Sequence, residues 1–197
     1  MQSKRNTAAV VLAGGISSRM GSDKAFLKID GKTLLQIAIE KAMRAAAVVK
    51  VVGQPEKFGK EAIEDIFRNC GPLGGIHAAL AQSNSELNLI LAVDTPLIKD
   101  AFLIFMLQQA EASGAVVTVP RTSDGFQPLC AVYRKSFHAA AEKALKQGNC
   151  KIDALFAAIK LRIIEEDEMR KFAFDPAMFQ NLNTREEYER ARARHSG

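Results

Sequence analysis

Residues 7–13, TAAVVLA, form a short unbroken apolar run that stops at Gly14 and Gly15. A strand without polar alternation is buried on both faces, and strands of that kind belong to the interior of sheets covered on both sides. The rest of the chain supplies the covering. Apolar residues recur at helical spacing through 33–47, 100–113 and 135–148, with Gly114 and Gly148 as C-terminal stops, and a helix over 72–82 is entered through a glycine-rich turn. Between them lie further β-type runs at 48–53, 86–93, 115–120 and 128–133. This alternation predicts an α/β fold: a single Rossmann-like domain over 1–197, with a mostly parallel (mixed) sheet and helices on both faces. A final helix is expected over 183–194, opened by a capping box of Thr184 and Glu187. In such folds ligands gather at the carboxyl ends of the strands.

Composition narrows the ligand. Of 197 residues 48% are hydrophobic and 25% charged, a globular mixture whose core must rest on aliphatic residues and eleven Phe, since Trp is absent. The net charge of +5 suits an anionic ligand. The basic residues are scattered, without a long Lys/Arg run or interleaved aromatics, which argues against nucleic acid. No window approaches about eighteen apolar residues, so no membrane span is expected. The opening MQSKRNTAAVVLAGG reads as a first strand rather than a signal peptide. Cys70, Cys130 and Cys150 show no Cys-x-x-Cys pairing, and an odd count without a secretory signal reads as a reducing, cytoplasmic setting.

Three segments bear chemistry. The loop after the first run, VLAGGISSRMGSDKAF (11–26), matches neither the Walker spacing nor G-x-G-x-x-G. Its glycines still let backbone N–H groups approach an anion, while Arg19 and Lys24 add positive charge. Asp94 ends the run LILAV, where a carboxylate suits Mg²⁺ bridging two phosphates; the plainer reading is turn chemistry, since Asp94-Thr95-Pro96 favours a turn. Gly71, Gly74 and Gly75 permit close backbone approach before a helix, and Asp65 upstream could accept from a base or a ribose hydroxyl, or be merely solvated. His77, His138 and His195 fit no metal spacing, and no G-x-S-x-G elbow is present.

In this order the three segments resemble the nucleotidyltransferases of the sugar-nucleotide type, and within them the molybdenum cofactor guanylyltransferase family. L-A-G-G-x₃-R-M-G-x-D-K matches at 12–24, CGPLGGI at 70–76, VDTPLI at 93–98, QPLCAVYRKS at 127–136 and NLNTREE at 181–187. The resemblance implies transfer of GMP from GTP to the phosphate of molybdopterin, with release of pyrophosphate. It implies that Leu12, Ala13 and Gly14 hold the nucleoside side, that Gly15 and the loop beyond it cover the phosphates, and that Lys24 contacts phosphate oxygens. Arg19 would neutralise the departing pyrophosphate, Asp65 would contact the nucleoside and Asp94 would ligate Mg²⁺. Pro128, Asn181 and Asn183 fall on the pterin side. Proteins that supply or receive the cofactor are implied partners, and a monomer is expected. The chain departs from the family at Gly53 and Gln54, where an asparagine is frequent, and at Cys70, where proline is common.

Transfer of this kind rests on placement and charge neutralisation. Two alternatives stay open at this point. One is a sister enzyme using CTP with molybdopterin, or another nucleotide with a different phosphorylated acceptor. The other is a non-catalytic nucleotide-binding module, against which Arg19, Lys24 and Asp94 together speak.

Overall fold

The computed structural model describes residues 6–14 and 23–181. Its strands are β1 (Thr7–Leu12), β2 (Lys28–Ile29), β3 (Lys32–Thr33), β4 (Val48–Val52), β5 (Leu87–Ala92), β6 (Val117–Thr122), β7 (Gly125–Phe126), β8 (Cys130–Arg134) and β9 (Leu161–Glu165). Its helices are α1 (Leu34–Ala45), α2 (Pro55–Phe58), α3 (Gly71–Gln82), α4 (Asp100–Ser113), α5 (Phe137–Lys146), α6 (Asp153–Phe156) and α7 (Glu166–Lys171). β2 and β3 form a small hairpin of their own; the other strands make one sheet in the order β4-β1-β5-β8-β6-β7, with β9 on the far side of β6. β1 runs parallel to both β4 and β5, β9 runs parallel to β6, and β8 is antiparallel to its neighbours β5 and β6. The sheet is the mostly parallel, mixed one that the alternation predicts.

Side-chain alternation along β1 divides the interior in two. Ala9 and Val11 pack with α1 and α4 on one face, while Val10 and Leu12 pack with α3 and α5 on the other. Every residue of β1 is buried. The polar Asn88 sits fully buried in β5 because its amide is used: it donates to the carbonyls of Ser85 and Tyr133 at 3.1 and 3.4 Å and accepts from the Ser83 hydroxyl. Helix α1 begins in a capping box of Thr33 and Gln36, and α4 ends at Gly114 in the left-handed conformation, φ 59°.

Four features differ from expectation. Gly71, Gly74 and Gly75 are not in a turn ahead of α3 but within its first turns. The strand expected at 115–120 is shifted to β6, and that at 128–133 to β8, because Gln127 donates back to Pro120 and makes a bulge between β7 and β8. β9 and α7 complete the far edge without a sequence signal strong enough to mark them. The cysteines are not three isolated thiols. Cys70, which caps α3, is paired with Cys150 after α5, Cα to Cα 5.0 Å, because α3 and α5 lie side by side. Cys130 stays buried and unpaired, its thiol pushed up to about 12 by burial. His77 and His138 also meet across these two helices, rings stacked at 4.4 Å, although no cluster of three metal-ligating side chains exists among the described residues. No described helix is long and apolar enough to cross a membrane. The helix expected over 183–194 lies outside the described residues.

Phe102 is the hub of the α4 side, fully buried and edge-on to both Phe174 and Phe179, so it pins the segment that follows α7. Phe102→Ala should cost about 3–5 kcal/mol. Urea denaturation would measure the loss, and faster hydrogen exchange over 174–179 would locate it.

Candidate functional site

Parallel register brings the functional segments to one edge. Leu12 is level with Val52 on one side and Ala92 on the other, so the chain leaves β1, β4 and β5 at the same height. Just beyond that edge lie Gly14, Gly53 and Asp94. Ala13 donates to the Val52 carbonyl at 2.9 Å and Val93 to the Leu12 carbonyl at 3.4 Å, which ties the three exits together. Leu12 and Ala13 are buried and Gly14 is exposed, the order needed for a backbone that emerges from the core to meet a ligand.

The charged centre is an ion pair. Lys24 follows the loop in a short 3-10 turn (Lys24–Phe26), and its ammonium reaches the Asp94 carboxylate at 3.3 Å. The two side chains keep 20% and 23% of their surface open, so the pair is accessible rather than sealed in the core. Behind Asp94, the Thr95 hydroxyl donates to the Ala92 carbonyl at 3.1 Å and holds the turn.

The second charged element is Asp65. A Cβ added at Gly75 would lie 3.3 Å from one carboxylate oxygen of Asp65, 3.1 Å from Val52 and 3.4 Å from Leu12; at Gly74 it would meet the Phe67 carbonyl at 2.8 Å. The two glycines therefore exist to let the 65–67 loop lie against α3. This brings the Asp65 carboxylate to the ends of β1 and β4. Burial, with a smaller contribution from the neighbouring Glu64, raises its pKa above the usual carboxylate range. No described group donates a hydrogen bond to it. A half-buried carboxylate without a donor is destabilising, and it is the arrangement expected of a group that waits for a ligand's N–H or O–H.

On the far side of α3 is a shallow cavity of about 300 Å³ bordered by Pro72, Pro128, Cys150, Lys151 and Asp153. The Pro128 carbonyl accepts from the buried Tyr133 hydroxyl at 2.8 Å, which fixes the bulge at the cavity's rim. Burial raises the Asp153 carboxyl as well. The cavity joins Pro72 of the glycine segment to Pro128, residues that are 56 positions apart and that no spacing rule connects.

Of the expected site residues, Leu12, Ala13, Gly14, Lys24, Asp65 and Asp94 converge on this edge. Pro128 borders the neighbouring cavity, and Asn181 is exposed at the end of the described chain, without a hydrogen bond to the others among the described residues. Gly15, Arg19 and Asn183 lie outside the described residues. What sequence reading missed is the contact of α2 with the loop's exit, through Lys57 with Asp23 and Phe58 with Phe26. The signal in the sequence was Gly53 and Gln54, where the family that it resembles frequently has an asparagine.

Residues 9–161 match the family model described as the MobA-like NTP transferase domain. The chain belongs to the MobA-like NTP transferases. Relatives agree with this along almost the whole length. A molybdenum cofactor guanylyltransferase of Syntrophotalea carbinolica is 34% identical over 194 residues, covering 96% of this chain and 92% of its own. A probable molybdenum cofactor guanylyltransferase of Pelotomaculum thermopropionicum is 33% identical over 187 residues, 93% and 90% of the two chains. The crystal structure of molybdopterin-guanine dinucleotide biosynthesis protein A from Archaeoglobus fulgidus superposes with a TM-score of 0.83 at 28% identity, covering 96% of this chain and 98% of that one. The match therefore extends to the level of a nucleotidyltransferase, on the α/β scaffold predicted from the alternation of strands and helices.

The raised pKa of Asp65 in this MobA-like NTP transferase makes its stability depend on pH. With its folded pKa raised, the native state binds the proton more tightly than the unfolded chain, so stability falls as pH rises through the unfolded and then the folded pKa. Asp65→Asn should therefore raise stability at pH 7 and leave it nearly unchanged near pH 3. Thermal unfolding at the two pH values checks this.

Proposed function

We propose that this transferase moves GMP from GTP to the phosphate of molybdopterin, forming the guanine dinucleotide and releasing pyrophosphate. The observation that carries the reading is the Lys24–Asp94 pair at 3.3 Å, at the sheet edge to which the Asp65 carboxylate is also brought. It is supported by the molybdenum cofactor guanylyltransferases that the chain resembles along almost its whole length.

In the proposed complex the Leu12–Gly14 backbone and the Asp65 carboxylate, which Gly74 and Gly75 let lie against α3, receive the nucleoside. Asp65 accepts from the guanine N1–H and 2-amino groups, two donors side by side on one edge. A carboxylate only accepts, and the matching edge of cytosine carries two acceptors beside its one amino group, so the same contact disfavours CTP. Gly15 and the loop beyond it cover the triphosphate, with Arg19 toward the leaving pyrophosphate. The pterin lies in the cavity at Pro128, with Asn181 and Asn183 on its acceptor side.

The donor set fits Mg²⁺. Asp94 is a hard oxygen ligand, and no described cluster of three metal-ligating side chains competes, so the remaining ligands would be phosphate oxygens and water, the usual habit of this ion. Mg²⁺ held by Asp94 would supply positive charge to the phosphate oxygens. The Lys24 ammonium, rooted beside Asp94, would contact the same oxygens. An acceptor phosphate oxygen forms the new bond to the α-phosphorus as the bond to the pyrophosphate oxygen breaks. The attacking group is already anionic, so no residue need remove a proton. What the chain contributes is alignment and the cancelling of charge between two anions.

With Mg²⁺, GTP and molybdopterin, the protein should release pyrophosphate in step with the dinucleotide product. Lys24→Ala should lower turnover by about 10²–10³, the usual effect of removing one charge-stabilising donor. Asp94→Asn should nearly abolish it while sparing acceptor binding by calorimetry. Release with CTP but not GTP would overturn the base assignment, and no release with any nucleotide would overturn the transferase reading for this acceptor.

A further inference from the structure

The exit of the glycine loop is gripped by α2. A Cβ built at Gly53 would lie 2.5 Å and 2.7 Å from the Cδ2 and Cε2 atoms of Phe58. The Phe58 ring thus occupies the space that any other residue at 53 would fill. The same ring stacks on Phe26, centroids 5.6 Å apart and planes 10° from parallel. Phe26 is 47% exposed, and the stack on Phe58 is its one ring contact among the described residues. One position earlier on α2, the Lys57 ammonium pairs with Asp23 Oδ2 at 3.3 Å. Asp23 uses its other oxygen to accept from the Ala25 backbone at 3.3 Å.

These contacts bracket Lys24. Asp23 precedes it, buried Ala25 follows it, and Phe26 closes the turn, so the backbone from which the Lys24 side chain springs is fastened on both sides. A lysine carries its charge on a flexible stem of four carbons, and its reach is set by where the root of that stem is anchored. Here the root is anchored so that the ammonium meets Asp94.

We propose that Phe58 is a positioning residue for Lys24, seated on Gly53 and acting through Phe26 and the turn at 24–26. Gly53 and Phe58 form a matched pair: the missing side chain at 53 is the room in which the ring sits. The proposal rests on the reading of Lys24 as a phosphate contact.

The test is a double-mutant cycle between Phe58 and Lys24, with kcat and KM for GTP measured from pyrophosphate release and folding checked by circular dichroism. Phe58→Ala should lower kcat about tenfold or more, as expected when a charge-bearing group is misplaced by an ångström. Phe58→Tyr should restore it, and Gly53→Ala should reproduce the loss by evicting the ring from the other side. In a Lys24→Ala background, Phe58→Ala should change kcat less than about twofold, since nothing is left to position. A merely structural Phe58 would lower kcat by the same factor in both backgrounds, and that result, or an unchanged kcat in Phe58→Ala with Lys24 intact, overturns the proposal. If the unaltered protein releases no pyrophosphate, the guanylyl transfer reading has failed on its own. The same cycle is then read from GTP affinity by calorimetry, where equal losses in both backgrounds overturn the positioning role.

Discussion

Everything at the working edge depends on β1 being paired in parallel on both sides. A strand hydrogen-bonded at both edges and covered on both faces has no room for slippage, because a shift of one residue would exchange the α1/α4 face for the α3/α5 face. Its register with β4 and β5 is what makes Leu12, Val52 and Ala92 level. Three chain exits then open at one height, and a glycine loop, a glycine with an aromatic ring over it and an aspartate become neighbours although they are far apart in sequence.

The edge accepts electrostatic cost in return. Asp65 is half-buried and without a donor, held by the closeness that Gly74 and Gly75 allow. Lys24 and Asp94 neutralise one another at 3.3 Å, partly buried but still accessible, where a phosphate and a cation would separate them. A partly buried carboxylate with a raised pKa and an exchangeable ion pair lie at one edge of the sheet. That combination marks a functional edge more clearly than any single residue does.

Much of this was legible in the residues. Helix α4 and its stop at Gly114 follow from apolar spacing and a glycine able to take φ 59°, β1 from a continuous apolar run closed by Gly, and β4 and β5 from β-type runs, interrupted by Lys50 and Asn88, that close on Gly and Asp. The MobA-like signature pointed to Lys24 and Asp94 before their contact was known. Other features were hidden because their cause is not local. Gly74 and Gly75 read as allowing close backbone approach, but what approaches them, the Phe67 carbonyl and the Val52 side chain, comes from other segments. β9 has no clear period of its own and exists through pairing with β6. Cys70 and Cys150, 80 residues apart, and His77 and His138 meet only because α3 packs on α5.

By itself the sequence determined the class of sheet, the loop that leaves its central strand, and the residue types able to handle phosphate, since periodicity, turn chemistry and charge are properties of neighbouring residues. Only the tertiary structure decided that Asp65 lacks a donor, that Lys24 reaches Asp94, and that Gly53 is empty because Phe58 fills it. Those are statements about distances between segments, set by which strands pair and which helices pack, and no local pattern encodes them.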